Sequence, residues 1–204
     1  DTQGGSGCTV ILCEEGCSAG VDVRGGGPAT RETDLLHPIN MVQKIHAVCL
    51  SGGSAFGLAA AHGVMRYLEE RNVGHDMGFV KIPIVCGASL FDLGVGDCKC
   101  RPDEQMGYQA CLNVNPKIEQ GNVGAGTGAS VGKLMGMQHA MKSGIGAYGV
   151  QLNDLQVAAI VAVNACGNVI DEASGEQLAG IYMDERILST EAVLLKHLEK
   201  QLPQ

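Results

Sequence analysis

Gly121-Asn122-Val123-Gly124-Ala125-Gly126-Thr127-Gly128-Ala129-Ser130-Val131-Gly132-Lys133 places five glycines in thirteen residues and ends on a lone lysine. Glycines strip away side chains and admit φ > 0, so another group can approach the N–H donors of such a run closely. A lysine at its end adds a cation, which points to a loop built to meet an anion or an oxyanion. The run is not a phosphate loop, because Thr127 stands where the first glycine belongs and Leu134 follows Lys133 in place of Ser or Thr. Gly124, Gly126 and Ala129 fit G-x-G-x-x-A, but residues 115–120 before them are polar and include Pro116 rather than a buried strand. Nucleotide binding is therefore disfavoured.

Composition narrows the function classes. A chain of 204 residues is long enough for a single unit that buries about 70% of its unfolded surface. The 30 glycines, absent tryptophan and 3% aromatics leave few platforms for stacking bases, and a net charge of -8 opposes a phosphate-backbone partner. No nucleic-acid partner is expected. No apolar run reaches the roughly 18 to 20 residues of a membrane span, so no membrane partner is expected either. The nine cysteines lack a C-x-x-C pair and a second close pair of ligands, so neither a metal nor another cofactor is expected. Cys49, Cys86 and Cys166 lie in apolar runs and read as small core hydrophobes. An odd cysteine count without an export signal fits a cytoplasmic location.

Apolar spacing along the chain mixes strands with helices. Residues 8–12 and 18–23 read as strands around a turn at Glu14-Glu15-Gly16, and 46–50 as a buried strand. Asp34 is placed to start a helix reaching about Lys44 with Pro38 in its first turn, and 55–71 repeats apolar residues at helical spacing. Residues 80–85 read as a strand near an edge, because Pro83 interrupts it. A helix is predicted over 102–112, one of small residues over 129–141 and an amphipathic one over 185–201. Residues 145–150 and 156–163 form a hairpin around Leu152-Asn153-Asp154. With no repeat and no low-complexity linker, residues 1–204 read as a single domain.

Several side chains have two readings. Ser54, in Gly52-Gly53-Ser54-Ala55-Phe56-Gly57, nearly forms a nucleophile elbow, but Phe56 replaces the required glycine and a helix cap fits as well. The charges around Gly25-Gly26-Gly27 make either a salt-bridged turn or a substrate clamp. Lys133 opposes the dipole of any helix it starts, which favours a functional role. Asn164, directly after 158–163, is either a turn residue or a donor to an oxyanion. No nucleophile paired with a base is evident.

Five segments together resemble the DmpA-type peptidases. They are Val21-Asp22-Val23-Arg24-Gly25-Gly26, Thr30-Arg31-Glu32-Thr33-Asp34, residues 50–58, the run 121–133, and Val161-Ala162-Val163-Asn164-Ala165 with Gly167 and Asp171. That family includes L-aminopeptidase/D-esterases, β-peptidyl aminopeptidases and nylon-oligomer hydrolases. The resemblance implies an α+β fold, a four-layer αββα sandwich shared with ornithine acetyltransferases. It implies a precursor that cuts itself before a Ser or Thr, which becomes the N-terminal nucleophile of a β chain. This chain then resembles the α subunit, ending shortly before the cut, with that β chain as its partner, a small peptide or amide as substrate and an oligomer of αβ units. Lys133 and Asn164 match active-site positions, with Asn164 the oxyanion donor. Phe91 falls where nylon-oligomer hydrolases carry a tyrosine, and Gly53, Ser54, Phe91 and Gly126 are the expected substrate-binding residues. The alternatives are an acyltransferase of the ornithine acetyltransferase type and a non-catalytic small-ligand binding protein.

Overall fold

The computed structural model describes residues 4–199. The chain opens with strands β1 (Cys8–Cys17), β2 (Thr30–Arg31) and β3 (Ile45–Ser51). A 3₁₀ turn over Ser54–Ala59 leads into helix α1 (Ala60–Glu69), followed by β4 (His75–Asp76), β5 (Lys81–Ile82) and β6 (Val85–Ser89). Helix α2 (Glu104–Leu112) precedes β7 (Ser130–Val131), β8 (Met141–Lys142), β9 (Gly144–Leu152) and β10 (Leu155–Val163). Two hairpins follow, β11 (Val169–Ile170) with β12 (Gln177–Ala179) and β13 (Ile181–Met183) with β14 (Arg186–Leu188), and then helix α3 (Thr190–Glu199).

The main sheet has the order β1-β3-β6-β2. Small and branched residues alternate along β3, so Ala47 and Cys49 turn to one face with Val85 of β6. There they pack on Ala60, Ala61, Val64 and Leu68 of α1 and Cys111 of α2. Burial pushes the Cys111 thiol up to about 12, so it stays protonated and packs as a hydrophobe. Asp103 caps α2 by accepting from the Met106 N–H at 2.8 Å. Helices segregated on one face of a mixed sheet make the fold α+β.

Strands β3 and β6 run parallel, with α1 between them in sequence and Ser51 opposite Ser89. Their carboxyl ends therefore lie side by side, and the loops leaving them meet. This is where open sheets of α/β type place ligands. The other half of the frame is the long hairpin β9–β10, closed at Asn153 and Asp154 with Leu152 opposite Leu155. A 3₁₀ turn at Gly124–Gly126, inside the glycine run, touches β1 and β3 on one side and β9 and β10 on the other. The run is thus the joint between the sheet and the hairpin.

Several expected elements differ, each for a local reason. Residues 8–17 form one strand, because Glu14-Glu15-Gly16 lies within an irregularity between Leu12 and Cys17 rather than a turn. Residues 18–23 form no strand. The helix expected after Asp34 is a three-residue 3₁₀ turn, since Pro38 holds His37 extended at ψ 132°. Pro83 separates β5 from β6, and β6 lies inside the sheet between β3 and β2 rather than at its edge. Two 3₁₀ turns and the pair β7–β8 replace the helix expected over 129–141, because Gly132 and Gly136 both take positive φ. The expected 185–201 helix starts only at Thr190, with Ser189 Oγ accepting from the Ala192 N–H, and Gln201 lies outside the described residues. Cys166 is exposed rather than in the core, since it follows the end of β10.

Candidate active site

Lys133 owes its position to Gly132, whose left-handed backbone (φ 71°) turns the chain out of β7 into a 3₁₀ turn at Lys133–Met135. Asn164 is the first residue beyond β10. These two turns bring together residues 31 positions apart, and Lys133 Nζ donates to Asn164 Oδ1 at 2.5 Å and to its backbone carbonyl at 3.1 Å. The Ser130 N–H also donates to Asn164 Oδ1, at 3.1 Å. Asn164 Nδ2 donates to the Phe91 carbonyl at 2.8 Å. Two donors on the oxygen and an acceptor on the nitrogen fix which way the amide points.

This arrangement suits a developing negative charge. A carboxamide nitrogen carries two N–H groups, and Phe91 accounts for one. An ammonium carries three, and Asn164 accounts for two. Lys133 polarises the Asn164 carbonyl oxygen and so makes its N–H groups better donors. Burial lowers the Lys133 pKa from the usual lysine value, while nearby Cys166 and Asp92 act in the opposite sense.

The loops from the parallel strands close around the same place. Ser89 Oγ donates to the Gly52 carbonyl at 2.8 Å, and the Ser54 N–H to the Leu90 carbonyl at 2.9 Å. The Gly53 N–H donates to Asp92 Oδ1 at 2.6 Å. Segment 90–92 therefore holds both the Gly53-Ser54 turn and the Asn164 amide. Gly53 takes φ 81° and Ser54 φ 55°, a left-handed conformation that strains a serine.

The remaining expected site residues fall as follows. Ser54 does not cap a helix: Gly53 holds the cap position of the 3₁₀ turn and no side-chain cap bond forms. Phe91 reaches Asn164 through its carbonyl, and its ring is exposed. Gly126 is buried, and an added Cβ would lie 2.2 Å from the Ile145 nitrogen and 2.7 Å from the Gly121 carbonyl oxygen. Its bareness serves the contact between the run and β9, not open space for a ligand. The charges around 22–34 do not converge: Arg24 pairs with Asp22 at 2.6 Å in solvent, while Arg31 reaches Met65. Sequence reasoning assigned no role to Asp92 or to the Ser130 N–H. The available signal for Asp92 was a single acid inside Leu90-Phe91-Asp92-Leu93.

The family model described as Peptidase family S58 matches residues 2–193. An uncharacterized aminopeptidase of Mycobacterium tuberculosis is 47% identical over 170 residues, which cover 83% of this chain and 47% of the relative. The 6-aminohexanoate-oligomer endohydrolase of Paenarthrobacter ureafaciens is 33% identical over 181 residues, 88% of this chain and 48% of the relative. This chain thus spans about half the length of the curated relatives it matches. In structure it resembles the L-aminopeptidase D-Ala-esterase/amidase from Ochrobactrum anthropi, described as a variant of the Ntn hydrolase fold. The TM-score is 0.50 at 17% identity, covering 78% of this chain and 40% of that one. The PH0078 protein from Pyrococcus horikoshii OT3 gives a TM-score of 0.52 at 18% identity, over 80% of this chain and 42% of that one. A strand-loop frame that sets Lys133 against Asn164, carried on an Ntn-hydrolase-like fold, is thus joined to a family match over nearly the whole chain: the chain belongs to peptidase family S58.

Proposed function

We propose that this chain is the oxyanion-binding half of an amide hydrolase that releases N-terminal residues from small peptides, amides or esters. A β chain cut from the same precursor supplies an N-terminal Ser or Thr. Its α-amine takes the hydroxyl proton, and the oxygen attacks the substrate carbonyl. The tetrahedral oxyanion is met by an Asn164 N–H, with Lys133 holding the amide in place. The intermediate collapses, the amine leaves with the proton, and water then releases the acyl group. The observation that carries this reading is the Lys133 Nζ contact with Asn164 Oδ1 at 2.5 Å, which leaves the amide N–H groups turned away from the lysine.

A β-chain partner is supported by the hairpin β9–β10. Tyr148, Val150, Leu152, Leu155, Val157 and Val161 are each more than half exposed there, a contiguous apolar surface of the kind that covers itself by association. Relatives named as an aminopeptidase and an endohydrolase favour water over an amine as the acyl acceptor. The whole natural protein, assayed on amino-acid anilides, short α- and β-peptides and 6-aminohexanoate oligomers, should release free amines. No turnover on any of them would overturn the reading, and acetyl transfer from acetylated ornithine to glutamate that outpaces hydrolysis would replace it.

The pH dependence follows from Lys133. Its ammonium form polarises Asn164, and burial lowers its pKa, so that form is complete at low pH and is lost as pH rises through the lowered value. The kcat/KM profile should therefore fall on the alkaline side below the ordinary lysine pKa of about 10.4. Lys133→Met should remove that limb and lower kcat about 10- to 100-fold, the worth of a charge-assisted hydrogen bond. A limb that survives in Lys133→Met belongs to another group and contradicts this role.

A further inference from the structure

Asp92 is an acid that packing alone does not require. It is 2% exposed, a place where a carboxylate is costly unless it is bonded and balanced by charge. Ser6 Oγ donates to Oδ2 at 2.8 Å and the Gly53 N–H to Oδ1 at 2.6 Å. A Cβ on Gly52 would come 2.0 Å from Oδ2, and one on Gly128 2.5 Å from it. The loop after β3 and the glycine run are thus both shaped around this one carboxylate. The residue before it, Phe91, carries the carbonyl that holds Asn164 Nδ2 at 2.8 Å. Asp92 is also one of the charges that act on Lys133.

We propose that Asp92 is a positioning residue for the reaction: its buried carboxylate locks segment 90–92 against the two glycine loops, so that the Phe91 carbonyl orients Asn164 beside Lys133. The assignment rests on the amide-hydrolase reading. An apolar residue of similar size fills the same space but gives the Gly53 N–H no acceptor and Lys133 no counter-charge. Asparagine keeps the shape and the acceptor for the Gly53 N–H, removes the charge, and turns the second oxygen into an N–H donor facing Ser6 Oγ, a hydroxyl that can accept as well as donate.

Among the described residues, the other titratable groups on elements packed against the Lys133–Met135 turn are His139 in the adjoining 3₁₀ turn at Met137–His139 and Tyr182 on β13, and Cys166 beyond β10 also acts on Lys133. Of these, Cys166 acts on Lys133 in the same sense as Asp92, so a Cys166→Ser background removes it from the comparison. In that background, Asp92→Asn in the whole processed protein should lower kcat/KM about 10-fold. Its alkaline limb should move to lower pH, as expected when an opposite charge near an ammonium is removed. A purely structural role lowers activity without moving the limb. An unmoved limb in an active variant overturns the Asp92 assignment and leaves the hydrolase reading intact, whereas a parent protein without turnover overturns both. If Asp92→Asn does not fold, Asp92→Ser, smaller beside Gly52 and Gly128, is read in the same way. Failure of both to fold makes Asp92 a folding residue and overturns the assignment.

Discussion

Asn164→Ala is expected to lower kcat on small amides by about 10²- to 10³-fold, or about 3 to 4 kcal/mol of transition-state stabilisation, with KM within about threefold. The asymmetry follows from when the donor acts. The carbonyl oxygen of a bound amide carries little charge, and an N–H aimed at the tetrahedral oxyanion gains its full interaction only after attack. Alanine also leaves Lys133 Nζ and the Ser130 N–H without the Oδ1 they both donate to, so local rearrangement adds to the loss. Asn164→Asp separates the two effects. It keeps an oxygen for Lys133 and Ser130 but replaces the amide N–H groups with an acceptor. A loss of similar size in Asn164→Asp assigns the effect to the donor. Activity within about fivefold of the parent would show that Asn164 is not the oxyanion donor. The proposed self-cleavage is also attack on an amide, so uncleaved precursor should accumulate in both variants on a denaturing gel, and kcat is read per cleaved chain.

Gly126→Ala should destabilise the protein by about 3 kcal/mol, at the upper end for overpacking, because every close neighbour of the new Cβ is backbone. It would sit 2.2 Å from the Ile145 nitrogen and 2.7 Å from the Gly121 oxygen. Those groups hold each other: Gly121 and Ile145 exchange backbone hydrogen bonds of 2.8 and 2.9 Å. A methyl group can enter only if β9 moves away from the run, which opens the joint between sheet and hairpin. For a domain of this size the melting temperature should drop by roughly 10 °C in a thermal scan. Gly27→Ala is the control. Its new Cβ meets nothing within 4 Å, and its φ is not in the positive range, so its melting temperature should not fall. Equal melting temperatures for Gly126→Ala and the parent would mean that the run is not held against β9.

The hairpin, β3 and α2 are legible in the sequence because their signals are local. Alternating residues flank Asn153-Asp154, Asp103 caps α2, and β3 is a short apolar run. The helices misread over 34–44 and 129–141 fail at single residues: Pro38 acts from inside the expected helix, and Gly132 and Gly136 turn the backbone left-handed. The site was legible as residues but not as contacts. Lys133 and Asn164 stand out singly, yet their 31-residue separation hides the bond between them. Asp92 is harder still, since its partner Gly53 is 39 residues away and one acid in an apolar run has no periodicity to reveal it. Gly126 shows the converse: a glycine that reads as room for a ligand is room for a neighbouring strand.

On the proposed mechanism, Lys133 and Asn164 serve a nucleophile carried by another chain. Intact-mass analysis and N-terminal sequencing of the purified whole natural protein test it most directly. Two associated chains are predicted, the second beginning with Ser or Thr. A single uncleaved chain that turns over amides would contradict it.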